Sequence, residues 1–469
     1  MTPVQQTAVI AAAVSVTLIS IYRRRIFAVT GTGAFFVSSI CLVYVGVLVA
    51  PWAIDAELPR ALPYIRWDEI RERDLRNAIW LVGGGLGLTL AGNIVAATVH
   101  SMMGDWRPTR WPAILLSPPR GQLGTSFDRL IVVSAFSLFL AVLLFVPKAS
   151  VAVTGLVGGY LHLDATAQYE ARFEMQQTGL LYYSLVYNVL PFLAVLSWTG
   201  YRVTRRAGMG ILAMVMIPST AFFLLVTFEK MSLVLFLILL LAANALVSRR
   251  SHSRGRTVRR FSARQAIAIG GIASAVAVML FYLQYAGLAS ALSGEVSAPM
   301  TDIVRITGTN LISRQSIQPI MYLRFFPDVD PHYGLSNIGM LMSLLGTPFY
   351  SDTIAVLRFF SVYDFGSTSV GALGDFYGAF GWGGLAVGSL LLGAALYWID
   401  SWLSERPPSA LMVTVSIFWL AVAYYLSQAA VARCISTYGG ASFFLLYMIL
   451  STPAPPIADV LMDQAKPAR

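Results

Sequence analysis

Charge is scarce in this chain. Only 12% of its 469 residues are Asp, Glu, Lys or Arg, about half the usual share of a soluble domain. That excludes an ordinary cytosolic enzyme, and 57% hydrophobic residues exclude a disordered chain. Cysteine occurs twice, as Cys41 inside an apolar run and Cys434 near the end. Two such cysteines exclude a secreted disulfide scaffold. No Lys or Arg lies between Met1 and Thr7, so the basic region that opens a secretory signal is missing. The cluster Arg23, Arg24, Arg25 follows the first apolar stretch instead, which reads as a retained helix with its N-terminus outside. No G-x-G-x-x-G or P-loop occurs, so no nucleotide-binding domain and no cofactor is expected.

What fills the chain is hydrocarbon, with a mean hydropathy of +0.68. Runs near the roughly 20 residues of a spanning helix fall at 4–22, 26–50, 78–104, 130–147, 180–200, 209–227, 231–248, 265–286, 379–399, 410–428 and 435–451. The expected fold is an all-α polytopic membrane protein of about eleven spans. It divides into helices and short loops over 1–286, a large, mostly helical outer segment over 287–378, and the last helices and tail over 379–469. No charged residue falls inside a predicted span. Ion-coupled carriers place ionisable groups at membrane depth, and the two halves show no repeat. Both absences speak against a flippase or transporter.

The net charge is +10, and its distribution sets orientation. The connections 23–25, 105–129, 201–208, 249–264, 400–409 and 452–469 hold 20 of the 33 bases and 6 of the 23 acids, or +14. The opposite connections hold 13 bases and 17 acids, or −4. The positive-inside rule makes the first set, with the C-terminus, cytoplasmic. Residues 249–264 carry seven arginines and no acid. They suit anionic lipid headgroups, and with only Phe261 among them they lack the stacking platform of a nucleic-acid site.

Minority cations on the outer side are the candidates for chemistry. Arg305, Arg314, Arg324 and Arg358 punctuate 287–378, and Lys230 stands in the short turn Phe228-Glu229-Lys230. Arg172 precedes the fifth span, and Arg433 the last. Each alone fits a snorkelling or ion-paired residue, with Glu170 or Glu174 for Arg172 and Glu229 for Lys230. Together they fit an electropositive pocket for phosphate, which the planar guanidinium grips with two donors. The stretch 326–334, FPDVDPHYG, reads in three ways: a solvated Pro-rich turn, a general base at His332 or an Asp, or a weak D-x-D metal motif. Asp375 and Tyr377 stand in a Gly-rich run at the start of the ninth predicted span. The aromatics there fit an interface belt or a sugar-stacking surface, and Gly378, Gly381, Gly383, Gly384 and Gly388 fit small-residue helix packing. The acids and arginines alternating through 51–77 fit an amphipathic surface helix.

The Phe228-Glu229-Lys230 turn, the outer segment with spaced arginines, and the run Gly374 to Gly384 resemble the Wzy-type oligosaccharide repeat-unit (O-antigen) polymerases. The resemblance implies a GT-C-like glycosyltransferase of the bacterial inner membrane. Its partners would be the bilayer, undecaprenyl-diphosphate-linked oligosaccharides and a chain-length regulator. An acceptor hydroxyl would displace lipid diphosphate at the periplasmic face, with no metal assigned. On that reading Arg305, Arg314 and Arg324 hold the diphosphate, with Arg172, Lys230, Arg358 and Arg433 in support. His332 is then the first choice of base and Asp375 the second, and Tyr377 faces sugar. An O-antigen ligase, a single-sugar GT-C transferase and a flippase remain the alternative functions.

Overall fold

A computed structural model describes residues 1–54, 65–103, 122–157, 171, 174–175, 179–227, 230–248, 315–361 and 369–451. Arg172, Arg305, Arg314, Glu229 and the predicted span 265–286 lie outside them. Lys230 opens a helix, but its side chain also lies outside the described set.

The secondary structure of the described residues is helical, apart from an isolated bridge between Ile65 and Ser361. Among the described residues eight helices are long and apolar enough to cross a membrane: α1 (Pro3–Ile26), α2 (Gly31–Ala53), α3 (Glu72–Met103), α4 (Phe127–Val157), α5 (Leu181–Thr204), α6 (Ala207–Val226), α11 (Ala372–Glu405) and α13 (Val431–Leu450). α7 (Lys230–Ser248) and α12 (Ala410–Leu426) are shorter apolar helices. Between α7 and α11 lie α8 (315–325), α9 (Gly339–Leu345) and α10 (Asp352–Phe360). Hydroxyls start several of these helices. Thr30 Oγ1 accepts from Gly33 N, Ser126 Oγ from Arg129 N and Ser409 Oγ from Met412 N, which satisfies donors the helix itself leaves open.

The faces of α1 and α4 turned away from the bundle expose Val9, Ile10 and Val14, and Val132, Phe136 and Phe139. Apolar faces of that extent suit hydrocarbon rather than water. This is a helical membrane protein. The interior forms two large apolar clusters. One joins α1, α2, α3, α8, α10 and α11. The other joins α4 to α7, α12 and α13, where Phe418 and Phe443 meet edge-to-face at 4.6 Å.

α3 and α11 touch backbone to backbone. A methyl at Gly92 would lie 2.0 Å from the Leu390 carbonyl oxygen, and one at Gly393 1.9 Å from that of Thr89. Small-residue packing therefore operates at Gly92 and Gly393, and within the run 378–388 at Gly378, where a methyl would stand 2.8 Å from the Tyr333 ring and 3.1 Å from that of Tyr322, while Gly383 has open space. In that run Gly381 adopts φ +66° and ψ −154° and breaks α11. The bend lays the Phe376 ring on Gly388, 2.4 Å from where a methyl would stand.

The helix ends gather into two polar regions. At the basic end Arg25 donates to Asn93, His100 meets Tyr397, and Arg129 caps the C-terminus of α13 through the Ile449 and Ser451 carbonyls. At the opposite end lie residues 65–74, 315–361, the start of α11 and residues 427–439. The helices also run beyond the charge-free predicted spans. Asp74 lies within α3, and Asp375 and Asp400 lie within α11, all three buried. The predicted runs themselves stay charge-free, but the spanning helices extend past them, and these three buried acids lie in the extensions, each hydrogen-bonded.

Candidate functional site

Asp375 is the hub of the end opposite the basic one. Its Oδ1 accepts from Tyr333 Oη at 2.7 Å and from Asn337 Nδ2 at 3.0 Å. Its Oδ2 accepts from Val431 N at 3.2 Å, the first amide of α13. A buried carboxylate held by three donors stays where it is put. It therefore ties the 326–338 segment, α11 and α13 together, and it reads as a positioning group rather than a free base.

The same segment carries His332. Residues 332–334 pair with the end of the second turn of α11: Tyr333 N and Gly334 N donate to the Gly378 and Ala379 carbonyls. His332 Nδ1 lies 3.1 Å from the Gly378 carbonyl oxygen. A carbonyl only accepts, so Nδ1 carries the proton and Nε2 of the neutral ring keeps a lone pair. Nε2 faces the α11 break. A methyl on Gly381 would stand 3.0 Å from it. The ring is half-buried, parallel to Phe326 and edge-on to Tyr377. Tyr377 Oη donates to the Phe326 carbonyl at 3.0 Å, and its ring meets the half-exposed Trp382. The result is a half-buried imidazole, packed among aromatic rings, whose Nε2 faces the α11 break.

On the far side of Asp375, Arg433 Nη2 donates to Thr353 Oγ1 at 2.8 Å. Next to it Tyr322 Oη donates to the Asp352 carboxylate, buried at the start of α10. Burial pushes the Asp352 carboxyl above the usual carboxylate range, against the Tyr322 hydrogen bond and the Arg433 charge. Burial, then the neighbouring Asp352 and Asp375 charges, push the Tyr322 and Tyr333 phenols far up. Both phenols thus remain protonated donors.

Arg324 departs from the expected phosphate role. Its Nε donates to the Glu69 carbonyl at 2.9 Å, and Nη2 and Nη1 lie 3.4 and 3.5 Å from Glu69 and Asp328 carboxylates. The side chain is 10% exposed and stacks near Phe359. Arg71 and Arg73 also pair with Asp328. Residues 65–74 are therefore a clamp on the 324–328 corner; of the amphipathic surface helix expected over 51–77, residues 55–64 lie outside the described residues. The D-x-D divides as well: Asp328 takes these arginines, Asp330 accepts from Tyr350 Oη, and His332 takes Gly378. Arg358 is exposed on the last turn of α10, with no ion pair among the described residues.

No protein-family model, curated protein or solved structure matches this chain. The site must be read from its geometry. His332, Asp375, Tyr377 and Arg433 do come together, while Arg324 and Arg358 stand apart. Tyr333, Asn337, Tyr322 and Asp352 were missed by sequence reasoning. Asp352 is followed by a Thr at a helix start, a weak capping signal. Nothing in the local sequence marks Tyr333 or Asn337 as donors to Asp375.

Proposed function

We propose that this protein is a membrane glycosyltransferase that lengthens lipid-diphosphate-linked oligosaccharides at the periplasmic face of the bacterial inner membrane. The observation that carries the reading is His332, fixed through Nδ1, with Nε2 turned to the α11 break at Gly381, next to the half-exposed Trp382. An acceptor sugar hydroxyl gives its proton to Nε2 while its oxygen attacks the donor's anomeric carbon. The bond from that carbon to the diphosphate oxygen breaks, and lipid diphosphate leaves with the electron pair. Because the leaving group is already anionic, fixed cations supply most of the help it needs. Among the described residues Arg433 donates only to Thr353, which leaves guanidinium donors for phosphate. Arg305, Arg314, Arg172 and Lys230 keep their proposed phosphate roles. Trp382, half-exposed, offers apolar ring surface to a sugar, whereas Tyr377 is buried and backs Trp382 and His332 instead of facing sugar as expected.

The test is incubation of the purified protein in liposomes with undecaprenyl-diphosphate-linked repeat units. The reading expects a ladder of products still on the lipid diphosphate. Product found only on a lipid A-core acceptor would assign a ligase instead. Movement of the lipid-linked sugar across the bilayer with no lengthening would assign a flippase.

A further inference from the structure

Beside the candidate site, a cavity of about 90 Å³ opens between α5, α7, α12 and α13. Two interruptions make room for it. A π-turn over Leu185–Val189 and Pro191 loosen α5, and residues 437–439 break α13. All four walls change character in the same direction. On α7 Ser232 is followed inward by Leu235, Phe236 and Leu239. On α5 Tyr183, Tyr187 and Asn188 give way to Pro191. On α13 Thr437 and Tyr438 give way to Phe443, and α12, which runs the other way, climbs from Phe418 through Ala421 to Tyr425. Stacked pairs stiffen the rim, Tyr425 on Tyr438 at 4.2 Å and Tyr183 on Tyr187 at 4.8 Å.

A sugar would need polar partners throughout, and a plain packing defect would need no graded rim. A polar mouth over a hydrocarbon floor, inside spanning helices, fits an amphiphile inserted tail first. The mouth adjoins the chain positions that carry two cations of the proposed site. The Arg433 carbonyl accepts from the Thr437 and Tyr438 amides, and Lys230 begins α7 half a turn before Ser232. We infer that this cavity receives the start of the polyprenyl chain of the lipid-linked substrate, with its diphosphate at the Arg433 end. The inference rests on the glycosyltransferase reading and adds the lipid-tail subsite to it.

The probe is farnesyl diphosphate carrying a photoreactive diazirine on its tail, added to the full-length protein in nanodiscs. Adducts are expected on Tyr187, Pro191, Leu235, Leu239 and Phe418. They should fall about tenfold in Ala421→Phe and in Leu235→Trp, which fill the cavity from opposite walls. Adducts centred on the lipid-facing Val132, Phe136 and Phe139 of the wild-type protein would overturn the assignment without need of either variant. So would labelling that excess phosphatidylglycerol abolishes, which would make the cavity a phospholipid site. The two readings fail separately. A normal product ladder from variants that no longer label overturns the cavity alone. Site-specific labelling by a protein that never lengthens a glycan supports the cavity and overturns the glycosyl transfer.

Discussion

Helix α11 carries a buried carboxylate toward each end, and the two do different work. Asp400 Oδ1 and Oδ2 accept from the Gly31 and Thr32 amides at the start of α2, each at 2.8 Å, and Trp419 Nε1 completes the set. Asp375 likewise accepts from the first amide of a helix, Val431 of α13. Both satisfy helix N-termini that would otherwise be buried with open donors. The difference lies in the remaining partners. Those of Asp400 come from packed helices, so every bond it makes ends in the bundle. Those of Asp375, Tyr333 and Asn337, come from the segment that holds His332. One carboxylate closes a structure, and the other aims a side chain whose Nε2 has no hydrogen-bond partner among the described residues.

Substitutions break this comparison in graded ways. His332→Ala should lower chain extension the most, by about 10²- to 10⁴-fold, far more than the loss of its hydrogen bond and ring contacts lowers the melting temperature in detergent. Gly381→Ala should come close to it, because the methyl strains a positive φ and stands against Nε2. A Gly381→Ala enzyme with normal turnover would mean that the open face of His332 is not used. Asp400→Ala should do the reverse, costing about 3 kcal/mol of stability through three orphaned donors. The protein that still folds should keep its turnover per molecule. Tyr333→Phe removes one donor to Asp375, so stability should fall by about 1 kcal/mol and turnover about tenfold. A loss of stability alone would reduce Asp375 to a second Asp400. The smallest effect concerns pH. Burial raises the Asp352 carboxyl, so the folded protein holds that proton more tightly than the unfolded chain does. Its stabilising contribution is full below the ordinary carboxyl range and is lost as pH rises through the raised value. Thermal unfolding followed upward from about pH 4 should show this fall, and Asp352→Asn should reduce it.

The helical membrane architecture was legible because charge-free apolar runs have few other uses. His332, Asp375, Tyr377 and Arg433 were legible as polar residues where the chain otherwise spends few. The partners of these residues were not. Tyr333 and Asn337 are neutral, and their value comes only from pointing at Asp375. Arg324 looked like a free cation because Glu69, its partner, is 255 positions away in the chain. The Gly-rich run at the head of α11 fits close helix packing and a break equally well, and Gly381 takes the second course. Asp400 was counted as a loop residue since it directly follows the apolar run, whereas α11 continues through Glu405.

The most direct test compares His332→Ala and Asp400→Asn in the liposome ladder assay, at equal amounts of folded protein. The account predicts that the His332 variant makes no ladder while the Asp400 variant makes a full one. A full ladder from His332→Ala would contradict it.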